Sequence, residues 1–226
     1  MAPTTTTSNN GTKTCGLILL HGLNSPFTTS QITSLRKGMA VNSECVVKAP
    51  LAQGMEGSRN GSWFDIFLPP AMSVLSPIAG ESKIGLENSL RAVESTIEEM
   101  MASDIPSEKI VVFGFSQGGA LTFYTAIHTK YKLGGFLPIV AWLPLRKVEP
   151  VYELEEDPIN IDTPILHITG TQDILVPNNP CGIETSNDMR QVFKNYHLKP
   201  IVGGHTTLNF FNETKKWIQQ NTDIGL

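Results

Sequence analysis

The chain has 226 residues, of which 40% are hydrophobic and 17% charged, enough for one sizeable globular core. Its net charge of −4, with Lys and Arg scattered along the chain, leaves no electrostatic footprint for nucleic acid, and no such partner is expected. No uncharged apolar run approaches the roughly 20 residues of a membrane-spanning helix, so no transmembrane segment is expected either.

Residues 1–12 are polar and Thr-rich, too poor in apolar side chains to pack. They are expected to form a disordered tail to a single domain over residues 13–226. Met1 to Asn10 lacks the basic region and apolar core of a signal peptide. Cys15, Cys45 and Cys181 show neither paired nor CxxC spacing, which suits reduced thiols in a cytoplasmic setting.

Cys15 to Leu20 reads as a short buried strand ending at His21-Gly22. A weakly amphipathic helix follows over Thr29 to Val41 through Ile32, Leu35 and Met39, and Cys45 to Pro50 is a second strand stopped by its proline. The stretch 51–83 is rich in Gly, Pro and Ser and has no sustained period, and long loops of this kind are often functional. Within it, residues 69–80 carry Met72, Val74, Leu75 and Ile78. This segment has the character of a lid or membrane-touching patch, or of a loop packed on the fold. Leu86, Leu90, Val93, Ile97 and Met100 then recur at helical spacing up to Asp104-Ile105-Pro106.

Lys109 to Phe115 is a β-branched strand that runs directly into a helix over Gln117 to Lys130. Gly135 to Ala141, Pro164 to Thr169 and Tyr196 to Val202 read as further strands, and Thr206 to Gln220 as a closing helix. Strands apolar throughout and separated by helices imply a mostly parallel central sheet with helices on both faces: a single α/β domain.

Gly114-Phe115-Ser116-Gln117-Gly118 is a G-x-S-x-G pattern placed between strand and helix. That context points to the nucleophile elbow of an α/β-hydrolase fold, with Ser116 as nucleophile. Serine needs a base, and the base an orienting carboxylate. Of five histidines, His21 and His167 read as structural, His128 lies on the outer part of a helix, and His197 lies inside a strand. His205 follows Gly203-Gly204 at a strand end and is the expected base. Asp157, Asp162, Asp173 and Asp188 fall between serine and histidine, but only Asp173 comes just after a buried strand. The backbone amides of Gln117 and of Leu23, in Leu20-His21-Gly22-Leu23-Asn24, are the expected oxyanion donors. No clustered ligand set for a metal is visible, and the chemistry needs no cofactor.

With those residues in hand, the chain resembles the acyl-protein thioesterase and small carboxylesterase family, also described as lysophospholipases. The resemblance runs from about Gly16 to Ile218 and rests on Leu20-His21-Gly22-Leu23, Trp63-Phe64-Asp65-Ile66, Gly114 to Leu121, Trp142-Leu143-Pro144-Leu145 and Leu175-Val176-Pro177. By position it implies the same triad and oxyanion donors. It also implies Trp63 beside the bound acyl group, with a loop anchor as the alternative, and leaves Trp142 between lining the acyl channel and anchoring a loop. The substrates it implies are S-acylated proteins, lysophospholipids or small acyl esters, with transient membrane contact open to the enzyme. A short-chain carboxylesterase and a non-catalytic binding protein of this fold are the alternatives. The chain departs from the family at Asn24-Ser25-Pro26, where Gly-Asp is usual, and at Thr169-Gly170, where His-Gly is usual.

Overall fold

A computed structural model describes residues 15–67, 80–206 and 209–222. The expected tail over residues 1–12, and the stretch 69–80 apart from its last residue, lie outside the described residues. Six strands form one sheet in the order β2-β1-β5-β6-β7-β8. They are β1 (Cys15–Leu20), β2 (Cys45–Lys48), β5 (Ile110–Phe115), β6 (Gly135–Ile139), β7 (Ile165–Gly170) and β8 (Tyr196–Ile201). All five pairings are parallel. A separate antiparallel pair joins β3 (Ile66–Phe67) to β4 (Gly80–Glu81). These two-residue strands lie in the stretch whose sequence has no period, and are too short to leave one.

The alternation of side chains along each strand explains why the sheet is covered on both faces. In β1, Ile18 and Leu20 enter one apolar cluster while Leu17 and Leu19 enter the other; in β5, Val112 and Val111 divide the same way. The first cluster is closed by α2 (Lys83–Met101) through Leu86, Val93 and Ile97, by α3 (Gln117–His128) through Leu121 and Phe123, and by Met189 of α4 (Ile183–Met189). The second is closed by Leu35 of α1 (Thr29–Gly38) and by Trp217 and Ile218 of α5 (Phe211–Asn221). At about 1.5–3 kcal/mol for each large apolar side chain fully buried, these clusters supply the main driving force for the fold.

Local signals set the helix starts. Thr28 caps α1 in a reciprocal box with Gln31, and the Ser82 hydroxyl accepts from the Gly85 amide at the start of α2. The closing helix begins at Phe211 rather than at Thr206. His205 and Thr206 form a turn, and Phe210, 9% exposed, anchors the chain against the second cluster before the helix starts. Helix α4 has only seven residues and a mixed apolar pattern, and no sequence signal marked it. His167 is buried; desolvation pushes its pKa down to about 3, so it is neutral. Its ring nitrogens meet the Tyr196 hydroxyl and the Ala141 carbonyl. Among the described residues, no cysteine is in a disulfide, and no helix is long and apolar enough to cross a membrane.

Candidate active site

Strand β5 delivers Ser116 to the carboxyl edge of the sheet, and α3 begins at the next residue. Ser116 has φ 54° and ψ −117°, a left-handed backbone that costs a non-glycine residue energy and lifts its side chain out of the strand. The turn closes because its flanks carry no side chains. A Cβ on Gly114 would collide with the Gly118 carbonyl oxygen, and a Cβ on Gly118 with the Leu20 carbonyl oxygen. The Ser116 amide is tied to the Ile139 carbonyl of β6 at 2.9 Å, which fixes the elbow to the sheet.

The structure brings Ser116, His205 and Asp173 together. His205 Nε2 lies 2.9 Å from Ser116 Oγ, and His205 Nδ1 lies 2.7 Å from Asp173 Oδ2. Asp173 is buried, and its other oxygen accepts from the Leu175 and Val176 amides at 2.8 and 3.0 Å. The two loops are stitched together: the Thr171 amide donates to Ile201 and the Gln172 amide to Gly203. Gly203 has φ 146°, and a side chain there would strain the loop that carries His205. Phe115 packs on the imidazole at 5.3 Å between ring centroids. With Asp173 ionised, Nδ1 carries the proton and donates to it, leaving Nε2 to accept from the serine hydroxyl. A hydroxyl, an imidazole and a buried carboxylate in this order can deprotonate the serine as it attacks a carbonyl.

The two expected amide donors sit at this site in different ways. Gln117 opens α3, where backbone N–H groups lack partners within the helix. The Leu23 amide donates to no group among the described residues. Both residues line a cavity of about 640 Å³ that also contains Ser116 and His205. That volume lies within the usual range for a small-molecule site.

Trp142 lines this cavity, with its indole N–H donating to Glu81 Oε1 at 2.9 Å. Glu81 also accepts from the Leu145 amide at 3.3 Å, and burial holds its pKa above the usual carboxylate range. Of the two places the resemblance leaves for Trp63, its contacts match the loop anchor. It is 1% exposed, does not line the cavity, and donates its indole N–H to the His21 carbonyl at 2.8 Å. Its ring packs against the His21 imidazole at 4.9 Å. Trp63 is therefore an anchor for the loop beneath the cleft.

Two further side chains hold the site: His21, read from the sequence only as structural, and the Gln117 side chain, where sequence reasoning reached only the backbone amide. The Gln117 side chain donates to the Phe64 carbonyl at 2.7 Å and the Ser62 hydroxyl at 3.0 Å, and accepts from the Trp63 amide at 3.1 Å. It thus clamps the residue 62–64 loop to the elbow. His21 is buried and connects two loops: Nε2 lies 3.0 Å from the Ala52 amide nitrogen and Nδ1 2.6 Å from the Gly22 carbonyl oxygen. The Ala52 N–H can only donate, so Nε2 is unprotonated and Nδ1–H donates to Gly22. Burial lowers the His21 pKa, in keeping with the neutral ring. The only sequence signal for either role was their place beside the glycines of their motifs.

The chain matches, over residues 3–221, the profile of a family described as phospholipase/carboxylesterase. Acyl-protein thioesterase 1 of Kluyveromyces lactis is 34% identical over 155 residues, 66% of this chain and 63% of that protein. Acyl-protein thioesterase 1 of Saccharomyces cerevisiae is 33% identical over 156 residues, 67% of this chain and 64% of that protein. The chain thus matches a little under two thirds of the length of each of these relatives. Among solved structures, Arabidopsis thaliana SOBER1 superposes with a TM-score of 0.73 at 21% identity, covering 92% of this chain and 99% of that one. Zea mays acyl-protein thioesterase 2 gives 0.66 at 22% identity, covering 95% and 96%.

Proposed function

The chain belongs to the phospholipase/carboxylesterase family, and from that premise we propose that it is a serine hydrolase cleaving acyl thioesters and esters. The reading extends to the removal of fatty acyl groups from S-acylated proteins; the relatives in Kluyveromyces lactis and Saccharomyces cerevisiae are named acyl-protein thioesterases. The observation that carries the hydrolase reading is the unbroken hydrogen-bonded chain from Ser116 through His205 to the buried Asp173. The thiols, in no disulfide among the described residues, suit a reducing cytoplasmic setting.

In the proposed mechanism, His205 Nε2 takes the Ser116 proton as Oγ attacks the acyl carbonyl. The carbonyl π electrons move to oxygen, and the amides of Leu23 and Gln117 bind the resulting oxyanion. One such donor typically lowers the barrier by about 2.7–4 kcal/mol. His205 then protonates the leaving thiolate or alkoxide, and the C–S or C–O bond breaks to leave an acyl-serine. Water deprotonated by His205 hydrolyses that ester and returns the proton to Ser116. Asp173 stays ionised, fixing the tautomer and stabilising the imidazolium.

Substrate class is tested with matched oxyesters and thioesters from acetyl to palmitoyl, by kcat/KM on the purified protein. Depalmitoylation predicts kcat/KM rising with chain length in the thioester set. A maximum at acetyl oxyesters would replace it with a short-chain carboxylesterase, and no turnover of any ester would remove the hydrolase reading.

His21 is assigned a positioning role in the same mechanism. The Gly22 carbonyl and the Leu23 N–H belong to one planar peptide unit and point opposite ways. A donor that holds the carbonyl therefore aims the N–H, and the Gly22 oxygen accepts from both His21 Nδ1 and the Ser25 amide at 3.1 Å. Asparagine can place an N–H near the position of Nδ1, whereas glutamine reaches towards Nε2. In a folded His21→Gln variant kcat is expected to fall about tenfold to a hundredfold, with His21→Asn recovering part of the loss. Equal kcat in His21→Gln and wild type, at matched Tm, would end this role.

A further inference from the structure

We propose that Glu81 is a positioning residue for acyl-chain recognition: its carboxylate holds the Trp142 indole in the wall of the cleft, and that hold sets how strongly long acyl chains are preferred over short ones. The inference rests on the serine hydrolase reading and names a residue that tunes the specificity of the same site.

Trp142 lies in a segment that belongs to no helix or strand. The chain leaves β6 through Val140 at φ 46° and turns again at Leu145 at φ 56°, both left-handed and unfavourable for residues with a side chain. Partners elsewhere in the fold must therefore hold it. The Leu143 amide donates to Thr185 Oγ1 at 3.0 Å, and Arg146 pairs with Glu184 and Asp188, each at 2.7 Å, so the backbone is tied to α4. Neither tie involves the Trp142 side chain. Its ring is set by an edge-on contact with buried Phe64, 6.3 Å between centroids, and by its N–H, which donates to Glu81 Oε1 at 2.9 Å. Glu81 Oε2 takes the Leu145 amide at 3.3 Å, at the second left-handed turn.

Glu81 reaches two lining residues at once. Ile66 is its cross-strand partner in the β3–β4 pair, and both Ile66 and Trp142 line the cavity that contains Ser116. Burial raises the Glu81 pKa, while the Trp142 and Leu145 N–H groups favour its ionised form. Ionised, it offers one oxygen to each donor. Its neighbour Lys83 does not neutralise it but pairs with Glu149 at 2.6 Å. A partly buried carboxylate without a cation is unfavourable unless it is hydrogen-bonded, so what Glu81 holds is what keeps it there. An acyl chain bound at Ser116 gains from each CH₂ it buries against apolar side chains. A wall fixed in advance yields more of that gain than one that must order on binding. An acetyl group, with one methyl beyond the carbonyl, has little to gain from the wall.

The test compares acetyl and octanoyl thioesters of one thiol, and the quantity read is the ratio of kcat/KM, octanoyl over acetyl. Effects on the chemical step, which both substrates share, cancel in that ratio. Glu81→Ala is expected to lower it about tenfold, mainly through KM for the octanoyl substrate, and Glu81→Gln, which keeps one acceptor oxygen, to lower it less. The Lys83–Glu149 pair and the ties to α4 stay in place, so both variants are expected to fold. Trp142→Phe keeps an aromatic ring but removes the N–H, and is expected to lower the ratio too. In that background Glu81→Ala is expected to have little further effect, because the donor through which Glu81 acts is gone. Should Glu81→Ala fail to fold, Glu81→Gln with Trp142→Phe makes the same comparison. Full additivity of the two substitutions, or ratios equal to wild type in the Glu81 variants at matched Tm, would overturn the proposal while leaving the hydrolase reading intact. No turnover of either thioester by the wild type would instead contradict the hydrolase reading itself.

Discussion

Ser116→Ala is expected to lower kcat on a long-chain acyl thioester by about 10⁵-fold or more while leaving Tm within a few degrees of wild type. The fold should tolerate the change because alanine meets the same left-handed backbone as serine at φ 54°, and the flanking clearances at Gly114 and Gly118 are untouched. What is lost is the nucleophile, and with it the acyl-serine that divides the reaction into two easier steps. The Leu23 and Gln117 amides would remain, so a residual acceleration of about 10³–10⁴ over water is expected to survive. Steady-state turnover with a thermal melt on the same preparation checks both halves. A variant that keeps more than a hundredth of wild-type kcat would mean that Ser116 is not the nucleophile.

Asp173→Asn is expected to cost about 10⁴-fold in kcat, although it changes the side chain by one atom. The carboxylate uses both oxygens: Oδ1 holds the Leu175 and Val176 amides, and Oδ2 faces His205 Nδ1. An asparagine has one oxygen. If that oxygen keeps the two amides, its NH₂ donates to Nδ1 and the ring proton moves to Nε2, where it blocks the acceptance of the serine proton. If the amide flips, its NH₂ faces two backbone donors in a buried site, which is unfavourable by about 1–3 kcal/mol. Both arrangements predict a large loss, and the second adds a fall in Tm. A loss in kcat of less than tenfold would make Asp173 a structural carboxylate rather than the partner of His205.

The parallel sheet was legible because β1, β5, β6 and β7 are buried along almost their whole length, whereas the order of its strands leaves no mark in the sequence. The elbow was legible because Gly114 and Gly118 are required by a backbone clash that no other residue avoids. His205 and Asp173 could be read from their places after β8 and β7, since the carboxyl ends of parallel strands gather at one edge of the sheet. What escaped were contacts between loops distant in sequence. The Glu81–Trp142 bond, the Gln117 clamp on residues 62–64 and the His21 bridge to Ala52 each join segments more than 30 residues apart, and none leaves a local pattern. The resemblance leaves Trp63 between a place beside the acyl group and a loop anchor, and only the structure shows its indole N–H donating to the His21 carbonyl. The seven-residue α4 is too short to show a helical period and was missed for that reason.

The account stands most directly on a covalent intermediate at Ser116. Wild-type protein turning over a palmitoyl thioester would be quenched in acid within the first turnovers and mapped by peptide mass spectrometry. The predicted result is one palmitoyl group, carried on the peptide containing Ser116, decaying as free palmitate appears and absent from Ser116→Ala. A palmitoyl adduct on another residue, or full turnover by Ser116→Ala with no adduct at all, would contradict the proposed mechanism.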